Sequence, residues 1–120
     1  KLVFDQFSEA DCNELERLSN FLSMENEMEV RVKADSQFHN MIIQKSDNLL
    51  LMRIYEAIGS MISYLMDSLM DYPDVVEKAY ESHKKIAEGI RKKNALEAVD
   101  AMEEHLITVC AFAKKYILRQ

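Results

Sequence analysis

Three histidines stand at the centres of three apolar stripes, each with the spacing of an α-helix. Around His39 the stripe holds Met28, Val32, Ile42 and Ile43. At about 100° per residue, all four fall within roughly 60° of the imidazole. Asp35 lies one turn before His39 and shares its face. His83 is centred among Val76, Ala79, Tyr80, Ile86, Ala87 and Ile90, and His105 among Ala98, Ala101, Met102, Val109, Phe112 and Tyr116. Polar groups at such positions need partners. The chain is therefore constrained to pack three helices so that their polar centres meet.

Neutral imidazoles and a carboxylate are the usual ligands of a borderline divalent cation. The pattern predicts a buried metal site made by Asp35, His39, His83 and His105, with zinc, nickel or manganese as the ion. The plainer reading is a set of core histidines held by hydrogen bonds. What favours a metal is that all three histidines of the chain are so placed and that an aspartate accompanies the first.

A chain of 120 residues makes one domain (residues 1–120) and can bury a core without disulfides. Its two cysteines, Cys12 and Cys110, form no disulfide framework, and a reducing cytoplasm is the expected compartment. No apolar run approaches the ~20 residues of a membrane span, so no membrane partner is expected. The net charge of −6 argues against nucleic-acid binding by this chain. Lys84–Lys85, Arg91–Lys93 and Lys114–Lys115 are read as helix surface.

With two Gly and one Pro, long helices are expected, and no stretch alternates as a strand would. Ser8 and Asp11 resemble a capping box opening a helix from about Glu9 to Ser23. Met24 to Glu29 is acidic and suits the start of a second helix, which carries Asp35 and His39 and ends near Lys45. A long third helix is expected from about Leu49 to Met70. Its main stripe is Leu50, Ile54, Ala57, Ile58, Met61, Leu65 and Leu69. A second apolar edge, Met52, Tyr55, Gly59, Ile62 and Met66, calls for a cover, and a second subunit is the favoured one. Pro73 opens a fourth helix running to about Lys92, and Asn94 caps a fifth running to about Leu118. The expected fold is an all-α antiparallel bundle of about five to six helices around a buried metal site.

Several chemistries lack their residues. Di-iron carboxylate bundles use Glu-x-x-His, but Ser36, Tyr80 and Met102 precede the histidines by three. The His-Glu-x-x-His protease motif, the Gly-x-Ser-x-Gly elbow and Gly-rich phosphate loops are missing. Four protein ligands on an octahedral ion leave two positions for water or a bidentate acid. Such a site serves either catalysis through a metal-bound hydroxide or sensing of a carboxylate metabolite. Catalysis needs a base beside the open position. Asp35, the one carboxylate on a buried stripe, is already used as a ligand, which favours sensing. A small metalloenzyme acting on an organic acid is the alternative, and a metal-free helical interaction module the third reading.

The residues also resemble a family. Asp35, Phe38 and His39 in the spacing Asp-x-x-Phe-His, then Ser-Asp-Asn-Leu-Leu-Leu at 46–51, look like the FCD effector domain of GntR-type transcription regulators, in the FadR/VanR branch. Glu-Ser-His-Lys-Lys-Ile-Ala-Glu-Gly-Ile at 81–90 and Asn-Ala-Leu-Glu-Ala-Val-Asp-Ala-Met-Glu-Glu-His-Leu at 94–106 continue the match in order. The resemblance implies a helical bundle that binds a divalent metal through Asp35, His39, His83 and His105. It implies a small organic acid bound at that metal, a homodimer, and control of an N-terminal winged helix-turn-helix. That DNA-binding domain is not in this sequence, so the chain alone is not expected to bind operator DNA. The family's opening helix, with its Arg-x-x-Leu-Glu pattern, is represented only by residues 1–6, which look like its last turn. Arginines on the opening and long helices help hold the acid in the family. Here Gly59, Ser60, Met61 and Ile62 occupy the stretch where the second is expected. Tyr64 and Ser68, which flank the main stripe, and Arg53 are therefore the candidate effector contacts. Arg31, like Arg53, is also a candidate for anion contact. The ordinary reading of Tyr64 and Ser68 is bundle-edge polarity; that of Arg53 and Arg31, which lie well off their stripes, is solvated surface.

Overall fold

The structure, a computed structural model, describes residues 6–45, 53, 56, 64, 65 and 68–118. Four complete helices lie within them: α1 (Glu9–Asn20), α2 (Met28–Lys45), α3 (Pro73–Arg91) and α4 (Ala95–Tyr116). No strand occurs among the described residues. The expected long helix falls mostly outside them, as does its second apolar edge, Met52, Tyr55, Gly59, Ile62 and Met66. Arg53, Glu56, Tyr64, Leu65, Ser68 and Leu69 are helical. The fold is thus all-α, with four complete helices described where five to six were expected.

The helix starts follow from local chemistry. Ser8 Oγ accepts from the Asp11 N–H at 3.1 Å, and Asp11 Oδ2 accepts from the Ser8 N–H at 2.9 Å, closing the capping box. Pro73 occupies the first turn of α3, where its missing N–H costs nothing. Asn94 Oδ1 accepts from the Glu97 N–H at 3.1 Å and starts α4. Helix α1 ends three residues before the expected Ser23. There the Phe21 and Leu22 N–H groups turn back to Leu18 and Ser19 carbonyls in tighter i→i−3 bonds. Asn26 Nδ2 then donates to the Phe21 carbonyl at 3.0 Å.

Helices α3 and α4 form an antiparallel hairpin through a turn at Lys92–Asn94. Its bonds, Asn94 N–H to Gly89 O and Lys93 N–H to Ile90 O, are those of a Schellman motif. Lys93 takes the left-handed conformation (φ 55°) at the position where glycine is usual. Arg91 reaches across to α1, donating to Glu16 Oε1 at 3.0 Å and Asn13 Oδ1 at 2.8 Å. At the neck of the hairpin the helices nearly touch. A Cβ on Gly89 would lie 2.8 Å from Ala98 N and 2.9 Å from Ala98 Cα. Both are backbone atoms and cannot swing aside. Gly89→Ala is expected to lose about 1–3 kcal/mol, the usual cost of overpacking, despite the better helix propensity of alanine. Urea unfolding checks this; a variant as stable as the parent would mean that the hairpin separates easily.

The interior divides into two apolar clusters. One joins α1 to the ends of α3 and α4 around the hairpin, with Leu15, Phe38, Ile86, Ile90 and Ala98 fully buried. The other gathers Leu69, Met70, Val76, Ala79, Val109 and Ala113. Along α3, His83 lies between Ala79 of the second cluster and Ile86 of the first. Along α4, His105 lies between Met102 of the first and Val109 of the second. The histidines form a polar layer between two halves of the core.

Candidate metal centre

Helix α2 contributes Asp35 and His39, α3 contributes His83, and α4 contributes His105. The structure brings the three imidazoles together, with their ligand nitrogens all within 4.8 Å of one another. Asp35 Oδ1 lies 3.2 Å from His83 Nε2 and 3.4 Å from His39 Nε2. His83 is fully buried, His105 and Asp35 nearly so, and the His39 side chain is 19% exposed. The layer thus touches solvent at His39.

Packing orients the rings. His83 stacks on Phe38 with centroids 4.1 Å apart and planes 13° from parallel. His39 and His105 stack at 5.3 Å, and His83 stands edge-on to both at 4.9 Å. Phe38 therefore forms the apolar floor of the site. The sequence reading placed it only as part of the Asp-x-x-Phe-His motif.

The polar atoms are close without being hydrogen-bonded. Asp35 Oδ1, His39 Nε2, both nitrogens of His83 and His105 Nδ1 are buried with no hydrogen-bond partner among the described residues. The two short Asp35–imidazole approaches fail on direction, not distance. Leaving one such atom unsatisfied costs about 1–3 kcal/mol, so a metal-free core would not be expected to keep several of them. A divalent cation would satisfy most at once. Ligands about 2.0–2.2 Å from a shared ion lie about 3–4.3 Å from each other. The Asp35 contacts already fall in that range, and the imidazole spacing lies close to it. The donor set fits a divalent metal.

Burial holds the protonation states that a cation needs. It pushes His83 below the ordinary imidazole range, outweighing the opposite pull of Asp35. It pushes His105 well below, helped by His83 and His39. Burial alone would raise Asp35, but His39 and His83 beside it win and hold the carboxyl below the usual range. His83 and His105 are thus neutral and the Asp35 carboxylate ionised at neutral pH, as metal binding requires. Below about pH 6.5, the unfolded histidine value, unfolded chains take up protons that the folded His83 and His105 refuse. Stability is then full above that pH and falls from there down to their lowered values. Melting temperature in metal-free buffer is expected to fall between pH 7 and pH 5, and to fall less in His83→Gln and His105→Gln. A profile equally steep in both variants would assign the loss to other groups.

Two expectations for arginine and the effector contacts meet the structure differently. Arg31, expected on solvated surface, is 3% exposed. Its Nε and Nη2 donate to the Met70 carbonyl at 3.0 and 2.7 Å, and its Nη1 donates to the Asn26 carbonyl. The signal was available: Arg31, Asp35 and His39 are spaced four apart and share a face. Arg53, Tyr64 and Ser68 are exposed, Tyr64 at 78%, and none is buried with the imidazoles.

Residues 1–108 match the family model of the FCD domain. The chain belongs to the FCD domain family. No curated protein and no solved structure gave a match. FCD domains are ligand-sensing regulatory domains of GntR-type regulators and not a family of enzymes. Some members bind metals, and the three-histidine cluster of this FCD domain lies where its three stripes meet. No described helix is long and apolar enough to cross a membrane.

Proposed function

We propose that this FCD domain is the sensing and dimerisation unit of a cytoplasmic GntR-type regulator. Asp35, His39, His83 and His105 would hold one divalent ion, zinc, nickel or manganese. That ion would supply a positive centre for the carboxylate of a small organic acid. The observation that supports this most is the convergence of three imidazoles and a carboxylate whose buried atoms lack hydrogen bonds among the described residues.

The chain's own residues divide the work. Phe38 fixes the His83 plane by stacking. Burial keeps His83 and His105 unprotonated. His39, at the exposed side of the layer, marks where a small molecule can arrive. Since α2, α3 and α4 each contribute, an acid that binds better in one arrangement of these helices shifts the population toward it. A winged helix-turn-helix attached to the domain would read that shift as altered operator binding. Arg53, Tyr64 and Ser68 remain candidate effector contacts.

Calorimetry with a panel of mono-, di- and hydroxy-carboxylates tests the proposal on metal-loaded and metal-stripped protein. Binding that needs the metal and is lost in His105→Ala is the expected result. Equal binding without metal would move the effector elsewhere, and turnover of the acid would make the domain an enzyme.

A further inference from the structure

Helix α2 carries Asp35 and His39, two of the four candidate ligands. Among the described helices its backbone lies close along α1; it meets α3 and α4, which carry His83 and His105, mainly through side chains. Backbone packing against α3 and α4 therefore does little to fix how far α2 slides or turns relative to their imidazoles. A metal centre tolerates little of either motion, since ligand distances hold to about 0.2 Å. Arg31 supplies a fixed point.

Arg31, Asp35 and His39 follow one another along a face of α2, each about 6 Å further along the axis. The buried guanidinium bridges two carbonyls, one from the chain before α2 and one from the turn before α3. Its Nε and Nη2 donate to Met70, and its Nη1 donates to Asn26. Both anchors are themselves held. Leu69 and Met70 are fully buried, and the Tyr72 N–H donates to the Leu69 carbonyl at 3.1 Å. Tyr72 stacks on Tyr116 with centroids 3.8 Å apart, and Tyr116 Oη donates to Asp74 Oδ2 at 2.7 Å. The Asn26 N–H donates to the Ser23 carbonyl at 3.0 Å, and its Nδ2 donates to the Phe21 carbonyl. A planar fork between two fixed carbonyls limits both the slide and the rotation of the helix that bears it. One turn on, Asp35 Oδ1 stands 3.2 Å from His83 Nε2 of α3.

We infer that, on the metal reading proposed above, Arg31 is a positioning residue of the centre. By fastening α2 to the turn before α3, it sets Asp35 and His39 against His83 and His105 without being a ligand itself. The link works in both directions: if the closed clamp raises metal affinity, metal steadies the clamp by the same factor. A change at the metal layer is then felt at the turn from Met70 to Asp74 and, through Tyr116, at the end of α4.

Zinc affinity, measured by competition with a chelating dye, and the visible spectrum of cobalt-loaded protein test this role. Arg31→Ala should bind zinc about tenfold more weakly, the low end for losing a ligand's support, and its cobalt spectrum should change. Millimolar guanidinium ion should restore much of the affinity and ammonium should not, because only the planar ion refills the fork. Arg31→Lys keeps the charge without the fork; it should show the same loss, and it secures the comparison if Arg31→Ala does not fold. Asn94→Ala, which weakens the fold at the far end of the hairpin, should keep the parent's affinity and spectrum. In the parent, zinc should also slow hydrogen exchange at residues 23–31 and 69–76, and in Arg31→Ala this slowing should disappear. An Arg31→Ala protein with the parent's affinity and spectrum overturns the positioning role while the metal reading stands. So does an equal loss of affinity in Asn94→Ala. A parent that takes up neither zinc, nickel nor manganese overturns both.

Discussion

Metal-free protein is expected to melt well below the metal-loaded form. A ligand that binds only the folded state adds RT ln(1 + [L]/Kd), about 4 kcal/mol at a thousandfold excess over Kd. For a domain of this size that corresponds to roughly 10–20 °C. The gain should be large here because the ion would do more than add bonds. It would neutralise the mismatch of a polar layer between two apolar clusters, where five buried atoms otherwise lack hydrogen bonds among the described residues. Asp35→Ala, His39→Ala, His83→Ala and His105→Ala should each sharply reduce metal content, read by elemental analysis against about one ion per chain. Full occupancy in all four variants would sink the assignment. A melting temperature that ignores chelator, after removal of metal is confirmed, would show that the core supports itself.

Arg31→Ala is expected to destabilise the fold by about 2–5 kcal/mol, since each carbonyl left unsatisfied costs about 1–3 kcal/mol. The guanidinium is buried against two carbonyls, Met70 and Asn26. Truncation would leave both unsatisfied and open a cavity between α2 and the chain preceding α3. Arg31→Lys should recover little, because one ammonium lacks the planar fork that spans two carbonyls. Asp35 stands one turn further along α2, so metal affinity should fall as well, by a smaller factor than stability would suggest if the metal refastens the helix. Urea unfolding with and without metal measures both. An Arg31→Ala protein as stable as the parent would mean that Met70 and Asn26 find other donors.

Much of this protein can be read from neighbours in the chain. Helix starts depend on residues within three or four positions, so Ser8, Pro73 and Asn94 announce them, and the capping bonds at Ser8 and Asn94 form as their side chains predict. The stripes around His39, His83 and His105 depend on the 3.6-residue period alone, and the period is local. A polar residue at the centre of an apolar stripe must find something to meet, so three such stripes imply a meeting point.

What the period cannot supply is how far each helix slides and turns against the next. That choice placed the Met70 carbonyl opposite Arg31, thirty-nine positions away, and converted an expected surface arginine into a buried clamp. It brought Gly89 onto the Ala98 backbone, a closeness invisible to any count along the chain. It split the core in two and set the histidine layer between the halves. It also left Arg53, Tyr64 and Ser68 exposed. Local geometry is set by bonds and steric clashes within a turn, whereas packing is a compromise among all the faces at once.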